Sequence, residues 1–131
     1  MTCRFCRIPD ESPSEVIFQN DDAYVIIPLR RDEETGALVE WDPATHRLVI
    51  PRHHAEEIRD LDGDWDAVML VAEDQKRRMG GDAIISFNLG PDAGQTQRHI
   101  HLWVRRCPGD EPSAGMGVAT LKRRLNELLA S

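Results

Sequence analysis

The sequence lacks a long apolar run, an excess of basic residues and enough cysteine for a disulfide framework. Its 131 residues include three cysteines, and the net charge is −7. Without a run of about 20 apolar residues no transmembrane helix is predicted, and the start at Met1-Thr2-Cys3-Arg4 does not resemble the apolar core of a signal peptide. An acidic chain is poorly suited to bind the nucleic-acid backbone over a broad surface. We therefore expect a cytoplasmic protein with no membrane partner and no nucleic-acid polymer as partner.

The composition is that of a globular protein. Apolar residues make up 40% of the chain and charged residues 30%, and no repeat or low-complexity tract interrupts them. A chain of this length can bury one core but not two. We therefore expect residues 1–131 to form a single domain.

Short apolar runs rich in β-forming residues alternate with turn signals and predict an antiparallel sheet. The predicted strands cover residues 16–18, 24–27, 47–51, 82–89 and 98–104. Residues 29–45 are charged and contain the turn signals Thr35-Gly36 and Asp42-Pro43, so they are interpreted as an insertion loop or hairpin. Trp41 in this insert could stack on a base or a partner subunit, although attachment of the insert to its own domain is the simpler expectation.

Two helices complete the predicted fold. Apolar residues recur at helical spacing between Asp64 and Met79, with capping side chains expected at Asp62 and Asp64 and an end at Gly80-Gly81. A second apolar stripe predicts a C-terminal helix over 118–129. The predicted class is α+β, with an antiparallel sheet of about five strands, a main helix packed on it and a C-terminal helix.

Residues 98–104 combine core and site chemistry. Side chains alternate along a strand, so His99, His101 and Trp103 are expected on one face, opposite an apolar face made by Ile100, Leu102 and Val104. Two imidazoles about 7 Å apart can take different chemical roles, one as nucleophile or base and the other as orienting group or metal ligand. The polar face is therefore the candidate site.

Three ordered motifs resemble the signature segments of the histidine triad (HIT) family. They are Leu48-Val49-Ile50-Pro51-Arg52-His53-His54, Phe87-Asn88-Leu89-Gly90, and Gly94-Gln95-Thr96-Gln97-Arg98-His99-Ile100-His101-Leu102-Trp103-Val104. Together they cover about residues 46–106. The third histidine of the triad is replaced by Trp103.

The resemblance implies a homodimeric nucleotidyl hydrolase or transferase that acts on a nucleotide or nucleoside phosphate. In its register His101 is the nucleophile that attacks an α-phosphate and forms a covalent nucleotidyl-histidine, with His99 as orienting group. Trp103 stands at the third catalytic position. The implied substrate-binding residues are Asn88, Gly94, Gln95, Thr96 and Arg98.

Two departures from the family pattern bear on this expectation. An indole N–H can donate a hydrogen bond but cannot deliver a proton at neutral pH, so Trp103 argues against ordinary hydrolysis. The related uridylyltransferases have glutamine there and still form the covalent intermediate. The acidic residue that holds the ribose in the family is absent from Ile26-Ile27-Pro28.

The alternative function is a catalytically inactive, zinc-stabilised nucleotide-binding or interaction module.

The pair Cys3-x-x-Cys6 is the remaining candidate for a functional site, either as metal ligands or as thiols. Structural zinc takes four nitrogen or sulfur ligands, and the resemblance implies that His54 and His99 complete the set with Cys3 and Cys6. A register error of one would exchange His53 and His54. The competing interpretation is a pair of reduced surface thiols at a loose terminus. A zinc hydrolase ranks last, because four protein ligands leave no open position for water.

Overall fold

The computed structural model describes residues 3–61, 63–90, 98–107, 126 and 129–130. Within these residues the helices are α1 (Arg4–Glu11) and α2 (Trp65–Met79), and the strands are β1 (Val16–Gln19), β2 (Ala23–Ile26), β3 (Leu29–Arg31), β4 (Leu38–Glu40), β5 (His46–Pro51), β6 (Ala83–Ser86) and β7 (Leu102–Arg106). Neither helix in this part of the chain has the length and apolar character needed to cross a membrane.

Five of the strands form one antiparallel sheet in the order β1-β2-β5-β7-β6. This confirms the predicted α+β class with its five-stranded sheet. Strands β3 and β4 form a separate antiparallel pair, in which Leu29 lies opposite Glu40 and Arg31 opposite Leu38. The insert at 29–45 is therefore a hairpin.

Helix α2 packs on one face of the sheet, because its apolar side chains recur on one side. Val68 and Ala72 of this helix share a buried cluster with Leu102 and Val104 of β7. Trp103, between those two strand residues, packs into a different cluster. The predicted alternation of side chains is thus present from Leu102 to Val104, and α2 covers the apolar face of these residues.

The ends of α2 agree only in part with the prediction. Gly80 follows the helix with φ of 77°, a left-handed conformation that glycine adopts without a steric penalty. Asp64 stands at the N-cap but makes no side-chain capping hydrogen bond, so its predicted capping role is wrong. Its backbone is already helical, with φ of −83° and ψ of −9°, whereas a capping residue is normally extended. Asp62 lies outside the described residues.

The opposite face of the sheet is covered near its β2–β5 side by α1, a helix that was not predicted. Phe5 and Ile8 of α1 are buried in one cluster with Tyr24 and Ile50 of the sheet. The Tyr24 hydroxyl donates a hydrogen bond to the Phe5 carbonyl oxygen. The Cys3-x-x-Cys6 segment is thereby fixed to the sheet, and its interpretation as a loose terminus is wrong.

Several predicted boundaries shift. Strand β7 begins at Leu102, so His99 and His101 precede the strand and were wrongly placed inside it. Strand β6 is shorter than the predicted 82–89. Of the predicted C-terminal helix only residue 126 and residue 129 are described; both are helical, and Leu129 is exposed.

Trp41 attaches the hairpin to its own sheet. Its ring stacks on His46, the first residue of β5, with centroids 3.9 Å apart and planes 20° from parallel. This agrees with the simpler of the two expectations for Trp41.

Candidate functional site

Four potential metal ligands meet where α1 approaches the ends of β5 and β7. Cys3 precedes α1, Cys6 lies in its first turn, His54 follows β5 and His99 precedes β7. Their ligand atoms all lie within 4.8 Å of one another. Cys6 Sγ lies 3.2 Å from His54 Nδ1, and both sulfurs lie 3.4 Å from His99 Nδ1. The structure thus brings together the four predicted ligands, and the group could hold a metal ion.

His99 presents its Nδ1 atom to the two sulfurs. The residue is fully buried, and its Nε2–H donates a 2.7 Å hydrogen bond to the Pro51 carbonyl oxygen. Burial lowers the pKa of His99 to about 4, and the nearby imidazoles of His54 and His101 act in the same direction. The ring is therefore neutral at pH 7 with its lone pair on Nδ1. A histidine ligand commonly has this form, with the other nitrogen bonded to a backbone carbonyl.

The surroundings of Cys6 disfavour its thiolate form. Burial raises the pKa of Cys6 to about 11, and the adjacent Cys3 thiol adds to the effect. The residue as a whole is exposed, but its sulfur is close to two imidazoles. Two thiols and two imidazoles are a donor set that suits zinc, and a bound cation stabilises the thiolate form. Cys107 and the exposed His53 lie outside the group.

His101 is held in one orientation by its neighbour in the chain. Its Nδ1–H donates a 3.0 Å hydrogen bond to the His99 carbonyl oxygen, which leaves the lone pair on Nε2. The residue is only 7% exposed, and burial lowers its pKa. The Phe5 ring contacts it edge-on with centroids 5.0 Å apart. This arrangement suits a nucleophile or base that acts through Nε2.

A cavity of about 190 Å³, here called the His101 cavity, adjoins this imidazole. It has an apolar floor and a charged edge, where Arg4 forms a 3.2 Å ion pair with Glu15. The lining residues are Arg4, Phe5, Glu15, Ile26, Ile27, Pro28, Leu29, Leu48, His101 and Trp103. The segment Ile26-Ile27-Pro28 therefore forms part of the cavity wall.

Sequence reasoning missed the contribution of α1 to this cavity. Arg4 and Phe5 line it, and Phe5 is 5% exposed. The available signals were the apolar pair Phe5 and Ile8 at a spacing of three and the ion pair between Arg7 and Glu11 at a spacing of four. These signals are weak in eight residues, and Pro9 inside the helix obscures them.

Of the remaining predicted site residues, the structure describes some and not others. Trp103 is half-buried in the wall of the His101 cavity. Asn88 is half-buried two residues beyond the end of β6, and Arg98 is exposed just before His99. Gly94, Gln95 and Thr96 lie outside the described residues.

No profile of a protein family matches the chain. A zinc-bound histidine triad family protein from Mycobacterium smegmatis matches it with 29% identity and a TM-score of 0.64, over 85% of this chain and 79% of the other. A HIT family hydrolase from Legionella pneumophila Philadelphia 1 matches with 25% identity and a TM-score of 0.62, over 84% and 96%. A histidine triad nucleotide-binding protein from Candida albicans matches with 19% identity and a TM-score of 0.60, over 98% of each chain.

Proposed function

We propose that this chain, whose fold is histidine-triad-like, binds a nucleotide and acts as a nucleotidyl hydrolase or transferase through His101. The observation that carries the proposal is the state of the His101 imidazole. It is buried beside a cavity, its Nδ1–H is bonded to a backbone carbonyl, and its Nε2 is left as the nucleophilic atom. The similarity of this chain to the HIT family hydrolase, which is 25% identical, supports the same class of reaction.

The proposed reaction has two steps. In the first, Nε2 of His101 attacks the α-phosphorus, a phosphorus–nitrogen bond forms, and the bond to the leaving group breaks. The leaving atom takes the electron pair and is protonated by water. In the second step water or another acceptor attacks the phosphorus, Nε2 recovers its electron pair, and the acceptor's proton passes to solvent. His99 keeps the imidazole oriented, because its carbonyl oxygen holds the Nδ1 proton throughout.

Substrate binding is proposed to involve both charged and neutral donors. The proposed phosphate contacts are Gly94, Gln95 and Thr96, which precede the His-x-His-x-Trp segment in the chain. Asn88 and Arg98 are proposed as further hydrogen-bond donors. Trp103 is proposed to donate a hydrogen bond beside the leaving group without protonating it. The apolar floor of the His101 cavity, between α1 and β2, is proposed to receive the nucleoside.

Zinc is proposed as a structural ion held by Cys3, Cys6, His54 and His99. When bound, it supplies four coordinate bonds that join α1 to the ends of β5 and β7. The fit rests on the mutual distances of the four ligand atoms and on the lone pair of His99. Because Phe5 lies between these cysteines in the chain and contacts His101, the ligand set also steadies one wall of the cavity.

Two further properties belong to the proposal. A homodimer is supported by an apolar surface at Met69, Leu70 and Ile85, where α2 meets the edge strand β6; Leu70 is 66% exposed.

A cytoplasmic location is proposed from the composition and from the reduced form expected of the cysteine pair.

The proposal is tested by intact-protein mass spectrometry. The protein is incubated with nucleoside phosphoramidates, dinucleoside polyphosphates and nucleotide sugars, and wild type is compared with His101→Ala. A mass increase of one nucleotidyl group, or product release, is expected in wild type only. The matched control is His53→Ala, because His53 is exposed and lies outside both the ligand group and the cavity lining.

The second candidate function is a nucleotide-binding module without turnover, which Trp103 at the third triad position favours. It predicts that nucleotides raise the melting temperature while no adduct or product forms. If no substrate class gives a His101-dependent adduct or product, the enzyme proposal is wrong and this alternative replaces it.

A further inference from the structure

We infer that a second cavity, here called the hairpin cavity, binds a planar aromatic group that carries an anionic substituent. Its role as the leaving-group subsite of His101 rests on the function proposed above. The cavity has a volume of about 330 Å³. Among the described residues its lining is Trp41, His46, Ile84, Ser86, Trp103 and Arg105.

The register of the sheet assembles most of this lining. Arg105 of β7 pairs with His46 of β5 on one side and with Ile84 of β6 on the other. Trp103 pairs with Ser86 of β6 in the same way. Paired residues project to the same face of a sheet, and residues two apart on a strand do so as well. The result is two adjacent rows of side chains on the face opposite α2.

The hairpin supplies the remaining wall. The stacked Trp41 and His46 rings hold it against β5, and the Trp41 backbone N–H donates a 2.9 Å hydrogen bond to the Pro28 carbonyl oxygen. The guanidinium of Arg30 lies 5.5 Å from the centre of the Trp41 ring. Trp41 is thus fixed by contacts on several sides, which hold this wall in place.

The lining selects a particular chemistry. The indole of Trp103 and the edge of Trp41, whose ring is stacked on His46, offer apolar surface that favours an aromatic ring. Arg105 offers a permanently charged donor for a carboxylate or phosphate. Burial lowers the pKa of His46, and Arg105 acts in the same direction, so that imidazole is neutral. The Asp42 carboxylate acts in the opposite direction on this pKa, and it accepts a backbone N–H within its own turn at 2.9 Å.

Trp103 connects this cavity to the nucleophile, because it lines both the hairpin cavity and the His101 cavity. Position 105 lies about 13 Å beyond position 101 when four residues are extended. A leaving group that extends from the phosphorus at His101 past Trp103 would therefore place its ring beside the two indoles and its anion near Arg105. Trp103 would then be a specificity residue and not a simple loss of the third histidine.

The turnover test uses three phosphoramidates of one nucleoside whose leaving groups are all alkyl amines. The amines are 4-(aminomethyl)benzoate, benzylamine and cyclohexylmethylamine. We expect kcat/KM to fall by about tenfold from the carboxylate to benzylamine and by a similar factor from benzylamine to the saturated ring. Arg105→Met should abolish the first preference and Trp41→Ala the second. Leu38→Ala on the exposed side of the same hairpin and Arg77→Met on α2 should retain both.

A binding test separates the cavity from the reaction. The indole N–H signals of the three tryptophans are assigned by substitution and followed by NMR during titration with 4-methylbenzoate. Trp41 and Trp103 should shift, whereas Trp65, which packs on Phe87, should not. Arg105→Met should remove the shifts.

Two combinations of results would contradict the inference in whole or in part, and a third result identifies the source of the ligand. Turnover without either preference, together with unshifted Trp41 and Trp103 signals, overturns the inference and leaves the proposed function standing. Shifts without any His101-dependent turnover support the binding site and overturn its role in leaving-group binding together with the proposed function. If Arg105→Met also slows a dinucleoside polyphosphate, the ligand source is a second nucleotide; if it slows only the benzoate compound, the source is an aromatic acid.

Discussion

Substitution of Cys6 by serine should abolish zinc-dependent stabilisation of the fold. Cys6 Sγ lies within 3.4 Å of the Nδ1 atoms of both His54 and His99, so its loss removes the sulfur that adjoins both imidazoles. A serine hydroxyl is a much poorer zinc ligand at neutral pH than a thiolate. Cys107→Ser is the matched control, because Cys107 is a free thiol outside the ligand group.

The magnitude follows from ligand linkage. At a free zinc concentration about 100-fold above the dissociation constant, binding to the folded state adds about 2.7 kcal/mol to the free energy of unfolding. A chain of 131 residues has an unfolding entropy of about 0.28 kcal/mol/K near 60 °C, so the melting temperature should rise by about 10 °C. Wild type and Cys107→Ser should show this rise, and Cys6→Ser should show little of it.

The assay is thermal unfolding followed by circular dichroism in zinc buffers, with zinc content measured separately by elemental analysis. One zinc per chain is expected for wild type and for Cys107→Ser. A melting temperature that does not depend on zinc, or equal losses in both cysteine variants, would refute the assignment of the ion to this group.

Three further outcomes are expected. Trp103→His should speed formation of the covalent adduct by about tenfold or more in rapid-quench kinetics, because an imidazole can protonate the leaving group, whereas Trp103→Phe should not. Leu102→Ala should lower the free energy of unfolding in urea by about 2–5 kcal/mol, because Leu102 is completely buried. Leu38→Ala, at a site 60% exposed, should change it by less than about 0.5 kcal/mol. Tyr24→Phe should cost about 1–2 kcal/mol in the same assay, because the buried Phe5 carbonyl loses its donor.

The alternation of residues 98–104 carried most of what could be predicted from the sequence. A period of two is a direct consequence of strand geometry, and it places Leu102 and Val104 under α2 and Trp103 on the other face. The start of the strand was not predictable to the same precision. His99 uses Nε2 to reach the Pro51 carbonyl, a contact with a residue 48 positions away that no local pattern reveals.

Helix α1 and the hairpin cavity show where local patterns are insufficient. Eight residues with a proline inside make an unstable helix in isolation. It is the burial of Phe5 and Ile8 on Tyr24 and Ile50 that favours the helix, and this information lies in the tertiary structure. The stacking of Trp41 on His46 likewise depends on how the hairpin folds back over β5, although the hairpin itself was one of the two predicted forms.

His99 links the proposed metal site to the proposed nucleophile through three separate atoms. Its Nδ1 adjoins both cysteine sulfurs, its Nε2–H is bonded to β5, and its carbonyl oxygen accepts the Nδ1–H of His101. A displacement of the His99 ring caused by loss of the ion would therefore move the backbone that selects the His101 tautomer. Because Phe5 contacts both imidazoles, movement of α1 would act on His101 in the same direction. The ligand group is thus part of the support of the proposed nucleophile, and a variant that loses zinc should lose His101 reactivity even though none of the four ligands lines the His101 cavity.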